Sequence, residues 1–93
     1  MRLRFKPNAI PEMKENDRIF FYPRDMKGKW SDVFANNNPI HLEIGAGKGD
    51  FIIEMAKRYP DINFIAIEMN TNAFVIASRK ITDEGLNNVI GVV

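Results

Sequence analysis

Apolar and polar residues alternate through Ile40–Ile44, and after Asp50 the apolar residues recur at intervals of three and four. The first pattern is typical of a strand and the second of an amphipathic helix. The almost wholly apolar run 62–67 is typical of a parallel strand covered on both faces. The predicted elements are strands over 40–44, 62–67 and 88–93 and helices over 51–59 and 70–84. This β-α-β-α-β order predicts about half of an open parallel α/β sheet.

Each predicted helix carries one apolar stripe, which we expect to face the sheet. Pro60 ends the first helix, and Asn70 or Thr71 caps the second, which Gly85 stops. The predicted buried residues are Phe51, Ile52, Met55, Ala56 and Tyr59 in the first helix and Ala73, Phe74, Ala77 and Ile81 in the second.

The segment ahead of the first strand is predicted to be an irregular arm, because three prolines at positions 7, 11 and 23 interrupt regular structure. Its apolar run 19–22 is expected to pack on the domain, although aromatic rings also suit stacking on bases. Residues 29–34 predict a short helix with Trp30 and Phe34 on one face. We therefore divide the chain into a basic arm and lead-in, 1–38, and a partial ligand-binding domain, 39–93.

Composition restricts the class of protein. The 93 residues suffice for one domain. The chain has no cysteine and a single histidine, His41, so we expect no metal site built from thiolates or a histidine cluster. No apolar run approaches the roughly 20 residues of a membrane-spanning helix, and the N-terminus has no signal-peptide pattern. We therefore expect a cytoplasmic protein with no membrane partner.

Charge is unevenly distributed, since residues 1–29 carry a net +4 and residues 30–93 a net −3. A basic arm ahead of an acidic domain predicts contact with a polyanion, and a solvated leader is the alternative. The candidates for contacts with an RNA backbone are Arg2, Arg4, Lys6, Arg24, Lys27 and Lys29.

Between the first strand and the first helix lies the stretch HLEIGAGKGDF, with glycines at positions 45, 47 and 49. A glycine turn between strand and helix lets backbone approach a nucleotide-like ligand. Glu68 ends the second strand, where a carboxylate can accept hydrogen bonds from a ribose diol. Together these features predict a nucleoside-type cofactor site, although Glu68 alone is also compatible with a surface charge at a strand end.

Two phosphate-binding motifs do not fit. The dinucleotide fingerprint G-x-G-x-x-G needs glycine at position 50, which is Asp50, and a P-loop needs Ser or Thr after Lys48, where Gly49 stands. The pattern that fits is E-x-G-x-G-x-G, led by Glu43. Two acids at the site favour a ligand with positive charge and no phosphate, such as S-adenosylmethionine. Glu43 is also compatible with a plain strand residue, and for His41 a structural role is favoured over catalysis.

Three stretches carry a family resemblance: NNNPIHLEIGAGKGDFI, YPDINFIAIEMNTNAFVIASRKI and LNNVIGVV. They resemble the bacterial tRNA (guanine-N7)-methyltransferases, enzymes with the Rossmann-like class I methyltransferase fold. The N-terminal stretches MRLRFKP and DMKGKWSDVF are similar to that family as well. The resemblance implies the N-terminal half of such an enzyme, with S-adenosylmethionine as cofactor and N7 of a guanine in the variable loop of tRNA as the methylated atom.

The resemblance also implies site residues. The cofactor-binding residues it implies are Glu43, Gly45, Gly47, Gly49, Glu68 and Met69. Catalytic residues are expected beyond Val93, and a sheet ending there would leave the last strand with an unpaired apolar edge. Two alternatives remain. The first is a truncated non-catalytic module that binds cofactor or RNA, which could form a homodimer through the open edge. The second is a nicotinamide-dependent oxidoreductase, which Asp50 disfavours.

Overall fold

The computed structural model describes residues 5–93, and within them four parallel strands form one sheet in the order β1-β4-β3-β2. The strands are β1 (Ile19–Phe20), β2 (Ile40–Ile44), β3 (Asn63–Ile67) and β4 (Val89–Val92). The helices are α1 (Ala9–Lys14), α2 (Trp30–Phe34), α3 (Asp50–Arg58) and α4 (Thr71–Asp83). The predicted α/β class and the β-α-β-α-β order from residue 40 onward are confirmed.

The two faces of the sheet pack against different helices because side chains alternate along each strand. Phe64 and Ala66 of β3 belong to one buried cluster with side chains of α1, α3 and α4. Ile65 lies on the other face, where it packs with Ile90 of β4 and Phe34 of α2. Burial of β3 on both faces explains its continuous apolar sequence.

The helix α4 is the best-covered helix of the fold. Asn70 caps it, since the Asn70 side chain accepts hydrogen bonds from the N–H groups of Asn72 and Ala73. Phe74 is fully buried, and its ring leaves no room for a side chain at Gly91 of β4. The whole predicted apolar stripe of this helix is buried.

The predicted stripe of α3 is partly wrong. Ile52 and Ala56 are buried as expected, but Ile53 is buried in place of Phe51, which is 65% exposed. Tyr59 is 44% exposed at the end of the helix. Apolar residues at 51, 52 and 53 are compatible with two helix orientations about 100° apart, and packing of Ile53 beside Gly49 and α4 selects one of them.

The segment 5–29 has more regular structure than the sequence analysis assigned to it. Helix α1 accommodates Pro11 in its first turn, where a proline removes no helical hydrogen bond. The run 19–22 includes a strand: β1 pairs with β4 through hydrogen bonds from Gly91 N–H to the Arg18 carbonyl (2.8 Å) and from Val93 N–H to the Phe20 carbonyl (2.9 Å). The boundary at residue 38 stays a prediction.

The expectation of an unpaired edge at the last strand is wrong, because β1 covers it. Within residues 5–93 the edges without a partner strand are instead the outer edges of β1 and β2. Leu42 and Ile44, which register with Ile65 and Ile67, are 62% and 81% exposed.

The predicted short helix at residues 29–34 is confirmed as α2, with Trp30 and Phe34 in one cluster. In the described range no helix is long and apolar enough to cross the membrane.

Candidate functional site

The glycine turn follows β2 at the carboxyl edge of the sheet. Its first residues are fixed to β3, because the N–H groups of Gly45 and Ala46 donate to the Ile67 carbonyl at 2.8 and 3.1 Å. Gly45 and Gly47 have φ angles of +78° and +60°, which side chains rarely permit. No atom lies within 4 Å of the point where a Cβ would stand on either glycine. The turn therefore presents bare backbone to open space.

Gly49 serves a different purpose. Its φ angle is +81°, and a Cβ there would stand 2.7 Å from the Cβ of Ala77. The absence of a side chain at Gly49 thus lets the start of α3 lie directly against α4. Two glycines of the motif shape the open surface, and the third packs the helices together.

Glu68 stands just after β3 and joins this loop. Its Oε1 accepts a hydrogen bond from the Gly47 N–H, and its Oε2 accepts one from the Asn70 N–H, both at 2.8 Å. These backbone hydrogen bonds, from Asn70 foremost, hold the pKa of the Glu68 carboxyl below its ordinary value. Glu68 is therefore ionised and fixed against the turn, with lone pairs still available on both oxygens.

Glu43 of β2 is held differently. Its Oε1 is buried and has no hydrogen-bond partner within the described part of the chain. Burial raises the pKa of its carboxyl, because the charged form loses hydration. A buried acceptor without a donor fits a ligand that brings one, such as an ammonium group.

Asp50, the acid that follows the turn, is paired with a lysine of α4. The Lys80 ammonium pairs with the Asp50 carboxylate, and this contact holds the pKa of Asp50 below its ordinary value. The same ammonium lies 3.4 Å from the Lys48 carbonyl. Lys80 thus fixes the second half of the turn to α4. It follows the turn by some thirty residues, so no local sequence signal identifies it.

The remaining residues singled out from the sequence are Met69, His41 and the basic residues of the N-terminal segment. Met69 is exposed directly after Glu68. His41 contacts the Phe64 ring edge-on at 5.7 Å between centroids, a packing contact. The Lys6 ammonium donates to the Asn72 carbonyl at 2.9 Å, beside the start of α4. The other predicted RNA contacts that the structure describes, at positions 24, 27 and 29, are exposed, and Arg2 and Arg4 lie outside the described residues.

A groove elsewhere in the fold lacks the features of the glycine turn. An open groove of about 560 Å³ lies between α1 and the C-terminal half of α4, and no glycine of the turn lines it. Among residues 5–93 no group of three His, Asp or Glu side chains is arranged to hold a metal ion. The glycine turn is the place where two acids, Glu43 and Glu68, lie beside bare backbone that faces open space.

A glycine turn after one strand and an acid after the next define the ligand-binding edge of a Rossmann-like α/β domain. A family model described as "Putative methyltransferase" matches residues 37–92. The chain belongs to this methyltransferase family, and its fold agrees with the N-terminal part of such an enzyme.

Individual relatives give a more specific likeness than the family model does. A protein of Oceanobacillus iheyensis named tRNA (guanine-N(7)-)-methyltransferase is 53% identical over 90 residues. Proteins of the same name from Bacillus subtilis and Exiguobacterium sibiricum are 50% and 49% identical over 90 residues. Each match covers 96% of this chain and 42% of the relative, so the chain spans about two fifths of their length. The resemblance inferred from the sequence motifs is confirmed.

Proposed function

We propose that the chain is the cofactor-binding part of an enzyme that transfers a methyl group from S-adenosylmethionine to N7 of a guanine in the variable loop of tRNA. One observation carries the cofactor assignment: the Glu68 carboxylate is fixed on the Gly47 N–H beside two glycines that face open space. The tRNA assignment is supported by the names of relatives that are about half identical to the chain.

The charges of the site match this cofactor. Glu68 is ionised, and its oxygens have acceptor capacity left for the two hydroxyl groups of a ribose. The buried Glu43 oxygen needs a donor, and the cofactor carries an ammonium group and a sulfonium charge. No phosphate has to be accommodated near Asp50. The residues present therefore fit S-adenosylmethionine better than a dinucleotide.

Methyl transfer to guanine N7 requires correct positioning of the two reactants and stabilisation of positive charge. When bound, the cofactor would supply an electrophilic methyl group for guanine N7, with the thioether as the leaving group. N7 is a lone-pair acceptor without a proton, so the attack needs no general base. The chain's own contribution is to hold the cofactor in line with the attacking base and to keep carboxylates near a guanine that becomes positively charged.

The basic residues of the N-terminal segment are proposed to contact the tRNA backbone, with salt-sensitive contacts that do not read sequence. An enzyme acting on tRNA would work in the cytoplasm. A homodimer stays a prediction, although β1 covers the edge of the last strand through which it was expected to form.

Calorimetric titration with S-adenosylmethionine tests the cofactor assignment. We expect saturable binding by the chain and a loss of about 100-fold or more in Glu68→Ala, which removes the proposed ribose acceptor and releases the Gly47 N–H. Glu84→Ala is the matched control, because Glu84 pairs with Lys57 at the far end of α4. Equal binding by Glu68→Ala, or binding of NAD with no binding of S-adenosylmethionine, would contradict the assignment.

Methyl transfer to an unmodified tRNA transcript then separates the two main alternatives. Labelled methyl at guanine N7 would identify an active enzyme. Cofactor binding without methyl transfer would favour the non-catalytic module. Catalysis would then require residues outside these 93.

A further inference from the structure

The apolar run 19–22 divides into packed and exposed members. Ile19 is buried in the main core, and Phe20 packs edge-on against Trp30 at 5.4 Å between ring centroids. Phe21 is half-buried against the main core. Tyr22, the last member, is 75% exposed. Core packing therefore explains three of the four residues and leaves the tyrosine ring without a structural purpose.

The backbone of Tyr22 is constrained in an unfavourable conformation. Its φ angle is +45°, in the left-handed region that a residue with a bulky side chain rarely adopts. The Tyr22 N–H donates to the Val93 carbonyl at 3.1 Å, and the Tyr22 carbonyl accepts from the Arg24 N–H at 2.8 Å across Pro23. These bonds hold the residue in place although glycine or asparagine would fit the conformation better. Strain of this kind is concentrated at functional positions.

The position of Tyr22 links it to the candidate site. Tyr22 follows β1 and bonds to the residue that follows β4, so it lies at the carboxyl edge of the sheet. Glu68 lies at the same edge, since its N–H donates to the Val92 carbonyl at 3.1 Å. The exposed cations Arg24, Lys27 and Lys29 follow the tyrosine within seven residues, and none of them forms an ion pair within residues 5–93.

We propose that the Tyr22 ring stacks on an unpaired base of the tRNA substrate while the neighbouring cations contact its phosphates. Every base offers a π-face, so a fixed, exposed ring among cations binds unpaired nucleotides without reading sequence. A protein partner would call for a wider apolar patch, whereas the exposed residues of segment 22–29 are one ring, three cations, the acid Asp25 and Gly28. The inference rests on the proposed tRNA substrate and assigns a binding residue to it.

Fluorescence anisotropy with labelled tRNA at several salt concentrations tests the inference. We expect Tyr22→Ala to weaken binding about tenfold, a loss within the range of one stacked base, and Tyr22→Phe to bind like the unchanged chain. Because the ring is uncharged, the slope of affinity against salt should stay the same in Tyr22→Ala. Tyr59→Ala is the matched control, since Tyr59 is an exposed tyrosine at the end of α3.

A glycine variant separates stacking from backbone strain. Glycine adopts a φ of +45° without cost, so Tyr22→Gly should unfold at a higher temperature than Tyr22→Ala yet bind tRNA equally weakly. Unchanged affinity in Tyr22→Ala, a reduced salt slope, weak binding by Tyr22→Phe, or recovery of affinity in Tyr22→Gly would each overturn the inference.

Failure of the inference is distinguishable from failure of the proposed function. If the chain binds tRNA and the alanine variant binds equally well, the tRNA substrate stands and the role of Tyr22 is wrong. If the chain binds S-adenosylmethionine but no tRNA, the role of Tyr22 falls together with the tRNA part of the proposal, and the cofactor assignment stands.

Discussion

The strands β2 and β3 both lead a glutamate towards the glycine turn, yet the two carboxylates are held in opposite ways. Glu68, after β3, accepts a backbone hydrogen bond on each oxygen, and its pKa is lowered. Glu43, within β2, has a buried oxygen without a partner in the described residues, and its pKa is raised. The Glu68 carboxylate is held by the chain's own N–H groups, whereas the Glu43 oxygen lacks a donor among the described residues. The chain itself therefore fixes one of the two acids and not the other.

The largest expected effect comes from Gly49. At this residue α3, which follows the strand of Glu43, packs against α4, which follows Glu68. Gly49→Ala should lower the free energy of unfolding by about 3 kcal/mol, because a strained φ and a collision with Ala77 add together. Gly45→Ala should cost only about 1 kcal/mol, since strain alone acts there. Urea unfolding of both variants measures the difference, and equal costs would show that Gly49 is not a packing glycine.

Glu68→Gln should have an intermediate effect. A glutamine keeps the size but cannot accept from both N–H groups, so the free energy of unfolding should fall by about 1–2 kcal/mol at pH 7. Because the folded pKa of Glu68 is lowered, its stabilisation exists above the ordinary value of 4.5 and is lost as the pH falls through the folded pKa.

Urea unfolding of the Glu68→Gln variant and the unchanged chain over a range of acidic pH measures this dependence. The exposed Glu15→Gln serves as control for the loss of one carboxylate. A difference between Glu68→Gln and the unchanged chain that grows towards low pH would contradict the proposed hydrogen bonds.

Glu43→Gln should give the smallest effect, with the opposite sign. Ionisation of a carboxyl whose folded pKa is raised destabilises the fold, and this penalty develops as the pH rises through 4.5. Removal of the charge should therefore stabilise the chain by about 0.5 kcal/mol at pH 7 and have no effect well below pH 4.5. Thermal unfolding at both pH values measures the gain. Destabilisation at pH 7 would mean that Glu43 has a partner after all.

Strong local patterns made most of the fold predictable from sequence. The uninterrupted apolar run of β3 and the capped stripe of α4 each specify their element within the segment itself. The two-residue strand β1 is not predictable in this way, because only its pairing with β4, some seventy residues away, makes it a strand. The error at Phe51 has a similar origin, since packing against α4 decides which side of α3 faces inward.

The proximity of the glycines and Glu68 was predictable from sequence, and their interactions were not. The spacing of the glycines and of Glu68 places them at one edge of a parallel sheet, as the structure shows. The contrast between the two carboxylates depends on which N–H groups reach them in three dimensions. The contribution of Lys80 depends likewise on a helix that only the fold brings next to the turn.

The short strand β1 has a consequence for the order of folding. It joins residues about seventy positions apart through two sheet hydrogen bonds, so closing that loop costs much entropy for few contacts. The β2–β3 and β3–β4 pairings close much shorter loops and make more contacts. We therefore expect the β1–β4 pairing to form after the inner pairings and to open before them, which would return the amides of Gly91 and Val93 to water.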